Sequence, residues 1–278
     1  MVCIAVLMAL RSHLLAAANF GRYEGVHEVE YAKPLIDSIP DSSLTILDRG
    51  YLSASFLLKI EAGSDRHWLT RAKQNTKHKV IKRFGRGDEL VEMTVSAQAR
   101  NKDSSLPLTW VARRIRYKMA GFREQFLLTS LCDPKQFPAQ EIVAMYHERW
   151  ELELGYDEIK TEMLDREEAI RSQKPDGVEQ ELWGILLAFS LVRLEMASIA
   201  REANIEPTRI SFVESLRLMR TEWEWLSVAS PGTIPKRLAT LRRNVKRYIL
   251  PERRKRSYPR HTKLKINRHN WKKPAAKP

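Results

Sequence analysis

The chain has 278 residues, 43% of them hydrophobic and 29% charged, which suits two compact units or one large domain carrying an insertion. A mean hydropathy of -0.42 argues against a membrane protein. The formal charge of +14 is concentrated: residues 235–278 hold 17 lysines and arginines against Glu252 alone, leaving 31 bases and 33 acids elsewhere. A segment so cationic condenses on polyanions and displaces their counterions, so nucleic acid is the first partner to consider. An anionic membrane surface comes second, because the tail has no apolar helical face. Cys3 and Cys132 are the only cysteines and have no ligand-type neighbours, which excludes a thiolate zinc site and a disulfide framework. His261 and His269 lie in the basic tail without partner cysteines, so no zinc finger is expected, and a reducing cytoplasm fits.

Met1–Leu10 is apolar but has no basic residue before Arg11, which argues against a secretion signal. Two buried antiparallel strands, Val2–Leu10 and Leu14–Phe20, are expected instead. A short helix follows over Val29–Ile39, stopped by Pro40. Next come a strand at Leu44–Leu47, a helix at Ser53–Glu61 and a strand at His67–Ala72. Lys79–Phe84 and Leu90–Val95 alternate apolar with polar residues around Gly85-Arg86-Gly87-Asp88, a hairpin signal. Leu108–Tyr117 and Gln125–Leu131 flank a turn at Gly121. The pattern turns helical after Asp133-Pro134, with one helix from Pro138 to about Leu164. Two more helices are expected, at Gly177–Asn204 and Ser211–Glu224. The run Leu182–Ala200 is interrupted by Arg193 and Glu195, which reads as a buried core helix rather than a membrane span. The tail contains Pro251, Pro259, Pro274 and Pro278 and is expected to be extended or disordered.

The informative segment runs from Tyr146 to Lys160. At about 100° per residue, Tyr146, Arg149, Glu153 and Lys160 project from one helical face within roughly 60°. Met145, Leu152, Tyr156, Ile159 and Met163 form a neighbouring stripe that can pack on a sheet. On geometry alone, the commoner outcome is a solvated face with an Arg149–Glu153 pair at i, i+4. Likewise, Asp48 before Arg49-Gly50 at a strand end is by itself ordinary turn chemistry.

The spacing of Tyr146, Arg149, Glu153 and Lys160 resembles the Y-R-E-K signature of the insertion sequence 4 family of bacterial transposases. Leu47-Asp48-Arg49-Gly50-Tyr51 resembles the flank of that family's second catalytic aspartate. The β-rich block between the two motifs lies where the family places an insertion, and the run from Val178 to Ala188 is also family-like. The resemblance covers nearly the whole chain and is weakest in the tail. It implies an α/β fold with a ribonuclease-H-like core, incomplete at its N-terminus, a β-rich insertion, C-terminal helices and a basic tail. The implied division is 1–72 for the first part of the core and 73–132 for the insertion. Residues 133–234 form the second part with the catalytic helix, and 235–278 a flexible DNA-binding tail.

The resemblance also implies DDE-class chemistry: metal-dependent strand cleavage at element ends, then strand transfer. Two magnesium (or manganese) ions about 3.5–4 Å apart would serve that reaction. Asp48 and Glu153 would be catalytic metal ligands, since such ions take hard oxygen donors. Tyr146, Arg149 and Lys160 would hold DNA phosphates through charge-assisted and hydroxyl hydrogen bonds. The implied partners are double-stranded DNA at the element ends and the target, with self-association in the DNA complex and no membrane. The implied location is a bacterial cytoplasm, at the nucleoid.

One family feature has no counterpart. The class needs three carboxylates, and the first aspartate in the chain is Asp37, within the expected first helix; Glu24 and Glu28 follow the second strand, on the wrong element. The expectation is therefore a truncated and inactive copy. A non-catalytic DNA-binding remnant that interferes with an intact transposase is the alternative. A cationic RNA- or ribosome-associated protein is a third reading, and it would not explain the Asp48 and Glu153 contexts.

Overall fold

The computed structural model describes residues 2–251 apart from 24, 26, 74, 120–122 and 165–169. It opens on an antiparallel pair, β1 (Val2–Met8) and β2 (Leu15–Arg22), in register from Val2↔Arg22 to Met8↔Leu15. Two strands alone are marginal in water, and this pair is braced by α1 (Glu28–Ala32) and the 3₁₀ turn Lys33–Ser38. The Tyr31 hydroxyl donates to the Arg22 carbonyl at 2.6 Å, and its ring lies so close to Gly21 that a Cβ there would sit 2.5 Å away. Glycine is what lets α1 press on β2. The single helix expected over Val29–Ile39 is thus an α-turn passing into 3₁₀; Pro34 has no amide hydrogen to continue an α-helical ladder.

The second sheet has six strands in the order β3-β4-β8-β7-β6-β5. β3 (Ser43–Leu47) runs through α2 (Ala54–Glu61) to β4 (Arg66–Arg71), which pairs with β3 in parallel. The expected hairpin forms from β5 (Lys79–Gly85) and β6 (Asp88–Thr94), with Gly87 at φ +81° in its turn. A short helix, α3 (Ala97–Lys102), leads into β7 (Thr109–Tyr117) and then β8 (Gln125–Thr129). β8 pairs with both β4 and β7, so the block over 73–132 continues the core sheet rather than standing beside it.

The helical half begins with α4 (Ala139–His147) and α5 (Trp150–Asp157), followed by a π-helical turn at Glu158–Met163. The continuous helix expected from Pro138 to Leu164 is therefore broken at 148–149 and rewound at its end. α6 (Pro175–Ala203) closes on Asn204 in the left-handed region, a position asparagine tolerates. It has the length and apolar content of a membrane span, but Phe189, Val192, Met196 and Ile199 on one face are fully buried in a protein core. α7 (Phe212–Leu226) is capped by the Ser211 hydroxyl, which accepts from the Glu214 amide.

α8 (Ile234–Val245) corrects the reading of 235–278 as one flexible tail. Its Leu241 and Val245 enter the same core as α6 and α7, and Arg242 reaches Glu195 at 2.6 Å and Glu202 at 2.7 Å. The basic residues of this stretch are the polar face of an amphipathic helix, which the charge count concealed. The rest of the tail, 252–278, lies outside the described residues.

Three clusters hold the molecule together. One joins β1, α1 and α2 to β4, β6 and β7 around Trp68. A second gathers α6, α7 and α8. The third packs Ile142 and Tyr146 of α4 on Leu69, Ile115 and Leu127 of the sheet. Arg113, fully buried, ties sheet to helices: it holds both Asp88 oxygens at 2.7 and 2.6 Å and donates to the Phe137 carbonyl at 2.6 Å.

Candidate active site

Asp48 follows the last residue of β3 and opens the 3₁₀ turn Arg49–Tyr51. Its carbonyl accepts from the fully buried Thr70 hydroxyl at 3.1 Å, so the backbone is fixed to β4 while the side chain stays exposed. α4 lies across the sheet and brings in the second set of groups. Tyr146 is 7% exposed, its ring body in the α4–sheet cluster. The Arg149 guanidinium is 6.0 Å from that ring and donates to Glu153 Oε1 at 2.9 Å.

These groups feel one another. Burial pushes the Tyr146 phenol up; Arg149 and Arg71 oppose that, and Asp48 adds to it. Burial pulls Arg149 down, but its hydrogen bond to Glu153, with Tyr146 and Asp48 nearby, leaves its pKa above the ordinary value. The charge of Asp48 thus reaches Tyr146 and Arg149, Arg149 holds Glu153, and Arg71 at the end of β4 also acts on Tyr146.

Lys160 is placed differently. It lies in the π-helical turn, exposed, with its ammonium 6.0 Å from the Tyr156 ring. The 100° step of an α-helix holds neither through this turn nor through the break at 148–149, so the single row expected for Tyr146, Arg149, Glu153 and Lys160 is interrupted after its first member and again before its last.

Two groupings escaped the sequence reading. Glu28, set aside there as lying on the wrong element, reaches the turn after Asp48: its Oε1 accepts the Tyr51 hydroxyl at 2.7 Å. Tyr156 on α5 is pushed up to about 12 by burial, with Glu28 and Cys3 adding to it. The other grouping lies behind α5. The imidazole of His13, fully buried, bridges Glu158 Oε2 through Nδ1 and Glu151 Oε2 through Nε2, both at 3.1 Å. Arg193 of α6 converges on the same Glu158 oxygen. Gly155 permits the approach, since a Cβ there would sit 2.9 Å from the Met8 sulfur. Glu153 is two residues from Glu151, about 200° around the helix. The clasp therefore grips the face of α5 turned away from Glu153. No short-range motif could have shown it, because its members are 138, 145 and 180 positions apart.

An aspartate thus stands at the end of β3, and Arg149 is paired with Glu153 at the start of α5. The description of the family, a transposase DDE domain, matches residues 2–191, and the chain belongs to that family, in its insertion sequence 4 branch. It is 40% identical, over 99% of its length, to the transposase InsG of insertion sequence element IS4 from Escherichia coli (strain K12). It spans 61% of that relative. Two further relatives carry the word transposase in their names. One is y4zB of Sinorhizobium fredii (strain NBRC 101917 / NGR234), 26% identical over 56% of this chain and 44% of its own. The other is InsZ of Escherichia coli (strain K12), 28% identical over 41% of this chain and 37% of its own.

Proposed function

We propose that the chain carries the DNA-acting site of an insertion-sequence transposase, on a ribonuclease-H-like core to which the β1–β2 pair and β3, β4 and β8 of the second sheet belong. The observation that carries this reading is the convergence of Asp48 on Tyr146 and on the Arg149–Glu153 pair, from two elements 98 residues apart in sequence. In this reading Asp48 and Glu153 are the catalytic carboxylates, and Arg149, Tyr146 and Lys160 meet the DNA phosphates. Arg149 has two tasks, holding Glu153 in place and presenting its remaining donors to phosphate. Tyr146, kept neutral by a raised pKa, offers a hydroxyl donor without adding negative charge.

Magnesium or manganese would polarise the scissile phosphate and activate the attacking oxygen. Asp48 and Glu153 are hard oxygen donors of the kind such ions take. Among the described residues, no third His, Cys, Asp or Glu joins them in a group that could hold a metal. Two carboxylates supply only part of the donor set that a pair of ions takes. The expected behaviour of the chain is duplex binding with little cleavage. The test is strand cleavage of linear DNA carrying element ends, with magnesium or manganese present. Metal-dependent cleavage that Glu153→Gln abolishes would show that two carboxylates suffice and overturn the inactive reading. Loss of duplex binding in Arg149→Met, with Asp48→Asn unaffected or tighter, is the expected split between phosphate and metal roles.

A further inference from the structure

The strand register carries a line straight from the site across the sheet. Leu47 pairs with Thr70, Thr70 with Leu128, Leu128 with Arg114, Arg114 with Glu89, and Glu89 with Arg83. The end of β3 that bears Asp48 is thus the same end of the sheet as the β5–β6 turn. Five strand spacings of about 4.8 Å separate them, or about 24 Å along the rim.

That rim is basic. Arg71 and Lys73 stand at the end of β4, Arg116 and Lys118 at the end of β7, Arg123 before β8 and Arg86 in the β5–β6 turn. Opposing charge is largely committed: Asp88 is held by the buried Arg113, Glu89 is shared by Arg83 and Arg114, and Glu124 faces Arg116 at 3.4 Å. Lys73, Arg86, Lys118 and Arg123 are all exposed. Among the described residues none of the four is in an ion pair. The opposite end of the sheet is close to balance: Asp41, Asp65, Asp103 and Asp133 stand there with Arg66, Lys77, Lys79, Lys102 and Lys135.

We propose that this rim is a binding surface for duplex DNA, along which the backbone runs from Asp48 to the β5–β6 turn. The inference rests on the DNA-acting reading of the site and adds a path and a length to it. At 3.4 Å per base pair, 24 Å corresponds to about seven base pairs on the β5 side of Asp48. The four exposed bases stand at intervals along that path, beside strands one, two, three and four to five spacings from β3. Spaced point charges of this kind suit a row of phosphates better than a single small anion, which would need them convergent. The charges read no base edge, so the surface sets position and register and leaves sequence selection elsewhere.

The experiment uses the full chain and a 30-base-pair duplex, with affinity measured against salt concentration. One variant replaces Lys73, Arg86, Lys118 and Arg123 by Gln. A control of equal charge change replaces Lys77, Lys79, Lys102 and Lys135, which are exposed toward the other end of the sheet. The rim variant is expected to lower the log–log salt slope by up to about 3.6, at about 0.9 per phosphate contact, while the control keeps the slope of the unaltered chain. Equal slopes for both variants and the unaltered chain, with duplex still bound, would overturn the rim and leave the DNA-acting site standing. Equal losses in both variants would overturn it as well, by showing that only total charge matters. Absence of duplex binding by the unaltered chain would instead sink the DNA-acting reading itself.

Discussion

His13 occupies a left-handed backbone position at the β1–β2 turn, φ 57°, and is fully buried between carboxylates. Burial lowers its pKa, yet the hydrogen bonds to Glu151 and Glu158 outweigh burial and the repulsion of Arg193, so the net shift is upward from 6.5. A group whose pKa rises on folding takes up a proton as the chain folds. Its contribution is therefore complete below its unfolded pKa and fades as pH climbs through the folded one. His13→Gln is expected to lower stability by about 1.5–3 kcal/mol near pH 5.5, the worth of hydrogen bonds to charged groups. The gap to the unaltered chain should shrink as pH rises above 6.5 and through the raised folded pKa. Urea midpoints of both proteins across that range check this; a gap that stays constant or widens with pH shows that His13 is not a charged bridge.

At the level of elements, α8 is the instructive case. A chain ending at residue 251 keeps every residue named in the three core clusters and is expected to melt like the full protein. A chain ending at 233 exposes what Leu241 and Val245 covered, a loss of about 3–6 kcal/mol at about 1.5–3 kcal/mol for each side chain. Thermal unfolding followed by circular dichroism separates the two; identical melting of both truncations would mean α8 is not part of the core. The shorter deletion is also the cleaner probe of the tail. It removes 11 bases and Glu252 while keeping α8 and the three core clusters, and it should flatten the salt dependence of DNA binding.

Sequence periodicity located β1, β3 and β4 by their apolar runs, although β1 is mostly half-buried rather than buried on both faces, and β5 and β6 by alternation around Gly85–Asp88. It missed α8 because a helix with a narrow apolar face, here Leu238, Leu241 and Val245, looks like a charge run when scored by composition. It did not foresee the π-helical turn that carries Lys160, because such a turn leaves no signature in residue spacing. Asp48, Tyr146, Arg149 and Glu153 were singled out by motif spacing alone, and the Arg149–Glu153 pair expected at i, i+4 is present. Arg71, Glu28 and the His13 clasp were not, since only tertiary pairing brings them to α5 and the sheet end.

For the molecule as a whole, the ladder from β3 to β5 makes a prediction about cooperativity. If 73–132 were a separate unit, its amides would exchange with their own opening free energy. Because β8 is bonded to β4 on one side and β7 on the other, the interior strands β4, β6, β7 and β8 are expected to open together. The β1–β2 pair, a sheet of its own, is expected to open separately and more readily. Hydrogen exchange read by mass spectrometry decides this; protection of β6 and β7 that differs clearly from that of β4 would restore the boundary at residue 73. The same ladder has a mechanical corollary. Two bodies joined by a linker can swing, and the span between their working points then fluctuates. Here no joint intervenes between the Asp48 end of β3 and the β5–β6 turn. The hairpin is a stiff outrigger, and any torque on its tip is delivered through the hydrogen-bonded strands to the backbone that carries Asp48.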